Sequence, residues 1–195
     1  MKKLLTVIVL TTLVLLGATL AVSEISEKNL QAAHLNDLKT LLPGSENFTV
    51  EPYDGEDANI RSVHKGETGF VVETVTYGYA GEITMLVGVS NEGKVTGLVV
   101  RELHETYGLG ANALTDEHFL AQFLNGSGEF AIATTGEDAF SGATGTVEES
   151  TGEATEVDAL TGATVTSKAI VRAINSAISY VTGADVSSAA TSWGG

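Results

Sequence analysis

The sequence predicts an α+β fold: one compact domain of antiparallel strands and packed helices, preceded by a single N-terminal transmembrane helix. Three observations lead there. Strand-like runs between residues 70 and 100 are separated by turn chemistry. A clean amphipathic stripe follows near the C-terminus. An uncharged apolar run stands at the N-terminus. Strands interleaved with helices, without a long repeat, fit α+β rather than a solenoid.

The first element is the apolar run Leu4 to Val22, preceded by Lys2 and Lys3. At ~1.5 Å per residue it reaches about 28 Å, close to the hydrocarbon thickness. The basic flank keeps the N-terminus in the cytoplasm, so the rest of the chain faces outward. A cleaved signal peptide ending near Thr19-Leu-Ala21 is the rival; the length of the run favours an anchor over residues 1–23 in contact with membrane lipid through residues 4–22. Both readings export the domain.

Residues 24–66 read as a helical stalk and linker. Leu30, Leu35, Leu38 and Leu42 make a helical stripe over Glu24 to Leu42, and Pro43-Gly44 ends it. Ser45 to Glu67 is polar, holds Pro52 and reads mostly as loop. The domain proper spans 67–182. Its strands are Phe70 to Tyr77, Ile83 to Val89 and Val95 to Val100, with Asn91-Glu-Gly93 making a hairpin of the last two. A short helix opens at Thr115 as its cap, has Phe119, Leu120, Phe123 and Leu124 on its buried face, and stops at Asn125-Gly126. Phe130 to Thr134 suits another strand. Residues 136–157, rich in Gly, Ser, Thr and Glu, read as a flexible insertion. The last helix runs from about Ser167 to Val181, with Ala169, Ile170, Ala173, Ile174, Ala177, Ile178 and Val181 on one face. Residues 183–195 read as a mobile tail.

Composition excludes several functions. The net charge of -15 repels phosphate backbones, so no nucleic acid is expected as partner. There are no cysteines. Disulfides, thiolate metal or iron–sulfur sites and thioether-bound cofactors are therefore ruled out, as is a lipoprotein anchor.

The chemistry concentrates in Asp158-Ala-Leu-Thr-Gly-Ala-Thr-Val-Thr-Ser167, just ahead of the last helix. Gly162 and Ala163 are small and leave the Thr164 hydroxyl open to a bulky partner. Thr166 or Ser167 can cap the helix, whose free N–H groups and positive end favour a phosphate nearby. An ordinary Ser/Thr-rich helix cap has the same local features.

The pattern Asp-x-x-[Ser/Thr]-Gly-Ala-Thr-x-Thr-Ser resembles the flavinylation signature of the FMN-binding domain family. That family includes the G component of the Rnf electron-transport complex and the C component of the sodium-pumping NADH:quinone reductase. A second block, Gly78-Tyr-Ala-Gly81, the hairpin to Val100 and His104-Glu-Thr-Tyr-Gly-Leu-Gly110, looks like the family's Gly-Tyr-x-Gly and His-x-Glu-Thr-Pro-Gly-Leu-Gly elements. Here His104 directly precedes Glu105, and Tyr107 stands in place of the proline. The likeness covers about Phe70 to Val181. Length and the single anchor favour the Rnf branch of the family.

The resemblance implies a curved antiparallel sheet with packed helices and FMN carried as a covalent phosphoester on Thr164. A flavin transferase would move the FMN from FAD and read Asp158, Thr161, Gly162 and Ala163. Thr166 and Ser167 would border the phosphate, and Glu105, Thr106, Gly108, Leu109 and Gly110 the ring. It implies a redox subunit without its own substrate site. That subunit would relay electrons between ferredoxin and NAD among other membrane subunits, on the outer face of the cell membrane. A free-standing extracytoplasmic flavin shuttle and a cofactor-free exported binding domain are the alternatives.

Asp138-Ala-Phe-Ser-Gly-Ala-Thr144 fits the same seven-residue pattern. Glu148 and Glu149 follow it, with no amphipathic helix, and would repel a phosphate. The helix end selects Thr164 instead. His34, His64, His104 and His118 have no metal-ligand spacing and read as ordinary histidines. Glu148, Glu149, Glu153, Glu156 and Asp158 read as a solvated loop face.

Overall fold

The structure, a computed structural model, describes residues 31–105, 110–111, 116–133 and 154–183. The expected membrane anchor, most of the expected insertion with Thr144, and the tail beyond residue 183 lie outside them. Among the described residues, no helix is long and apolar enough to cross a membrane. The chain divides into two compact units, with the boundary after Asp37.

Residues 31–41 are helical (α1). The expected stripe is met in part: Leu38 and Leu42 are buried, together with Leu41, whereas Leu35 is exposed. Five antiparallel strands follow, β1 (Thr49–Glu51), β2 (Ile60–Lys65), β3 (Gly69–Tyr77), β4 (Glu82–Ser90) and β5 (Val95–Leu103). They lie side by side in chain order. β3, β4 and β5 match the expected strands. Ser90 and Lys94 close the β4–β5 turn, where Gly93 takes a positive φ of 78°.

The sheet begins upstream of residue 67, since β1 and β2 lie within the segment expected to be mostly loop. β1 is only three residues long and largely exposed. In β2 the pairing with β3 shifts between Ile60 and Ser62, which breaks the period-two pattern that signals a strand.

β4 is buried from Ile83 to Val89 because the sheet is covered on both faces. On one face, Val71 and Leu86 pack with Leu38, Leu41 and Leu42. On the other, Val72, Met85 and Val87 pack with the long helix α3 (Thr164–Thr182). Val71 and Val72 are neighbours on β3 but enter different clusters, as alternation along a strand requires. α3 presents Ala169, Ile170, Ala173, Ile174, Ala177 and Ile178, the stripe read from the sequence, and ends at Gly183 in a left-handed conformation.

Between β5 and α3 lie α2 (Glu117–Ala121), β6 (Phe130–Ile132) and β7 (Thr155–Val157). The cap of α2 is Asp116, whose carboxylate accepts from the Phe119 N–H at 3.0 Å, so the helix needs no cap from Thr115. Phe119 and Phe123 are buried, and Leu124 is exposed. β7 occupies the last residues of the expected insertion and pairs in parallel with β6. Parallel partners need a long crossover, so nothing local in the sequence advertises the pair.

Gly88 and Gly97 are paired across β4 and β5 beneath the end of α1. A side chain at Gly88 would strike the Leu41 carbonyl, which already accepts a hydrogen bond from Thr96. The Gly88→Ala variant should therefore lose about 1–3 kcal/mol of stability, the usual cost of overpacking. Urea unfolding checks this, and an unchanged midpoint would refute the close approach.

Candidate functional site

The signature segment leads directly into α3. β7 ends at Val157, and Asp158 to Ala163 form the connection. Ala163 N–H donates to the Leu160 carbonyl at 2.9 Å, closing a turn in which Gly162 has φ of +74°. That sign at the third position suits glycine and disfavours other residues. Ala163 is buried, Thr164 is half-buried, and Thr161 and Gly162 are exposed.

α3 begins at Thr164, three residues earlier than the sequence suggested, and its N-cap is Ala163. Ala163 offers no side-chain cap. The helix's own bonding starts with the Ser167 N–H on the Ala163 carbonyl at 2.9 Å. The N–H groups of Thr164, Val165 and Thr166 thus have no partner within the helix. No acidic residue stands in the first turn, and Lys168 lies exposed one turn beyond Thr164.

Thr166 and Ser167, expected as caps, are inside the helix and buried. The Ser167 hydroxyl accepts from the Leu160 N–H and donates to the Ala163 carbonyl, both at 3.0 Å. It stitches both ends of the turn to the first turn of α3.

A second group of residues meets the same helix end. Glu105 accepts from the Tyr79 N–H at 2.7 Å and, more weakly, from the Ala80 N–H. Its carboxylate thereby holds the turn Gly78–Gly81. Gly110 is buried so closely that a side chain there would meet the Thr166 hydroxyl and the Glu105 carboxylate. The structure thus brings Gly78 and Gly110 together around Glu105, with Gly110 against Thr166. Thr106, Gly108 and Leu109 lie outside the described residues.

Comparison with known proteins agrees with this arrangement. The model of the FMN-binding domain family matches residues 78–179, from the glycine turn through most of α3. The chain belongs to the FMN-binding domain family. The G component of the ion-translocating oxidoreductase complex of Methanosarcina acetivorans is 33% identical over 86% of this chain and 85% of its own. The G component of the Na(+)-translocating ferredoxin:NAD(+) oxidoreductase complex of Acetobacterium woodii is 36% identical over 56% of this chain and 47% of its own. The proton-translocating counterpart of Clostridium ljungdahlii is 35% identical over 58% and 53%. The chain thus spans most of the first relative and about half the length of the other two. A crystal structure of Shewanella oneidensis NqrC covers 74% of this chain and 73% of its own, with 19% identity and a TM-score of 0.44. At that level it adds nothing to the assignment.

The residues of this FMN-binding domain fit a phosphate-linked group at Thr164. Thr164 is partly exposed, three N–H groups are unbonded within the helix, and a lysine stands one turn away. Sequence reasoning missed Lys168, which reads as an ordinary helix-surface lysine, and Arg172 and Gln122, whose partners are distant in the chain. The Arg172 guanidinium donates to the Tyr77 carbonyl at 3.0 Å, and burial lowers its pKa. Gln122 bonds the backbone of Asp158 on both sides.

Removing the Ser167 hydroxyl leaves the buried Leu160 N–H without its partner. The Ser167→Ala variant should lose about 1–3 kcal/mol. Its Leu160 amide should exchange with deuterium faster than in the wild type. Unchanged protection at Leu160 would show that the stitch does not hold the turn.

Proposed function

We propose that this chain is an electron-transfer subunit of an Rnf-type, membrane-bound, ion-translocating ferredoxin:NAD oxidoreductase complex, working through FMN phosphoester-linked to Thr164. The observation that carries the reading is the position of Thr164. It is the first residue of α3, half-buried, on a helix end with three N–H groups unbonded within the helix. An anion there gains about 0.3–1 kcal/mol from the helix end, and Lys168 adds positive charge on the same face.

FMN supplies the redox chemistry when bound. The chain's residues hold and orient it. The N–H groups of Thr164, Val165 and Thr166 would be available to the phosphate. Glu105 and Gly110 would border the ring, and the resemblance to the family's motif adds Thr106, Gly108 and Leu109 to that group. Asp158, Thr161, Gly162 and Ala163 are the residues a flavin transferase reads during maturation. Ser167 acts through the turn rather than on the phosphate. The names of the relatives support a place among the other subunits of such a complex; the uncharged run with its basic flank supports residues 4–22 in the lipid and the domain on the outer face. The names of two relatives of nearly equal identity carry sodium and proton coupling respectively, so similarity assigns no ion.

Full-length protein produced with a flavin transferase should give a fluorescent band on a denaturing gel. Mass mapping should place the FMN on the peptide containing Thr164. Thr164→Ala should abolish the band and Thr164→Ser should keep it. Fluorescence that persists in Thr164→Ala, or a label confined to the Thr144 peptide, would refute the assignment. Co-purification with integral membrane subunits separates a member of a complex from a free-standing shuttle.

A further inference from the structure

The acceptor segment is framed by a residue that no part of its signature contains. Gln122, at the end of α2, uses its side-chain amide as a strand would use a peptide group. Its Oε1 accepts from the Asp158 N–H at 2.8 Å, and its Nε2 donates to the Asp158 carbonyl at 3.3 Å. This pair of bonds holds the backbone of the residue that follows Val157, where the β6–β7 pairing ends. Asp158 and Thr161 are left exposed on a fixed frame. An open pocket of about 350 Å³ lies against that frame. Its walls are Asp116, His118, Phe119 and Gln122 from the α2 segment, and Asp158 to Thr161 from the motif.

We propose that Gln122 is a positioning residue for FMN attachment: it holds Asp158 so that the modifying enzyme meets the motif in one conformation. The proposal rests on the reading of Thr164 as the acceptor. In the transfer, the phosphoanhydride of FAD breaks and a bond forms from Thr164 Oγ to the FMN phosphorus. AMP leaves, and the hydroxyl proton is released to the transferase or solvent. Gln122 touches none of these atoms. It acts on the orientation of Asp158 and Thr161, the first residues of the segment to be recognised. A docked partner that needs a disordered segment must order it on binding, which weakens apparent affinity; a preformed segment avoids that cost.

The test uses the full-length chain, FAD and a flavin transferase, and follows the mass increase of FMN over time. Gln122→Ala should raise the KM for the acceptor protein about tenfold, as for the loss of two ordinary hydrogen bonds. The KM for FAD should stay unchanged. Gln122→Glu keeps an acceptor for the Asp158 N–H and should fall between Gln122→Ala and wild type. A partly unfolded variant would instead raise the apparent KM only by the reciprocal of its folded fraction and lower the final yield of labelled protein in the same proportion, and thermal unfolding measures that fraction. Should Gln122→Ala not fold, Gln122→Glu decides. Wild-type kinetics in a folded variant would overturn the proposal while leaving Thr164 as acceptor. A wild-type protein that takes no FMN would overturn the acceptor reading, and this proposal with it.

Discussion

The packing of α3 against β3 and β4 is the interaction on which the rest of the site depends. The helix lays Ala169, Ala173 and Ala177 beside Ile170, Ile174 and Ile178, all buried. Small residues let the axis approach the sheet, and the isoleucines fill the space around it, each worth about 1.5–3 kcal/mol on burial. Two polar ties add direction. The Thr76 hydroxyl donates to the Ala169 carbonyl at 3.0 Å, and Asn59 reaches Ser176 at 3.2 Å. Such a helix cannot slide or roll without exposing its stripe, so its N-terminus is fixed in space.

A fixed helix end is useful only if the chain arrives at it in a defined way. The six residues from Asp158 to Ala163 are tied three times. Gln122 holds the start, Gly162 makes the turn, and Ser167 reaches back from the helix to both ends of that turn. Thr164 therefore emerges from the same backbone that α3 immobilises. On the opposite side, Glu105 fixes the glycine turn against Gly110, and Gly110 lies against Thr166. Two stretches far apart in sequence converge on the first turn of one helix.

The sequence disclosed those parts of this arrangement that rest on local periodicity. The hairpins of β3 to β5 and the stripe of α3 were legible because each buries alternate or helically spaced residues. Thr164 was singled out by the resemblance of its segment to the family's signature, because its local features alone equally fit an ordinary helix cap. The remainder depends on contacts that no local pattern records. β2 hides behind a register shift, and β7 is paired by a distant parallel partner. Thr166 and Ser167 look like caps, because Ser and Thr are frequent there, yet the Gly162 turn starts the helix earlier and draws both inside. Gln122 reads as an ordinary polar residue on a short helix; only the fold shows that it grips Asp158 from 36 positions away.

This geometry also separates the two copies of the signature more sharply than charge alone. Both contain Asp-x-x-[Ser/Thr]-Gly-Ala-Thr, and both place a threonine two residues after the last one, Thr146 and Thr166. Three residues after the candidate acceptor the copies diverge. Ser167 supplies the hydroxyl that stitches Leu160 to Ala163, whereas Val147 has neither donor nor acceptor on its side chain. Four residues after it, Lys168 is replaced by Glu148, which reverses the charge facing a phosphate. On the proposed reading of Thr164 as the acceptor, what distinguishes the two copies lies outside the shared seven residues, in the residues that convert the pattern around Thr164 into a turn held against a helix end.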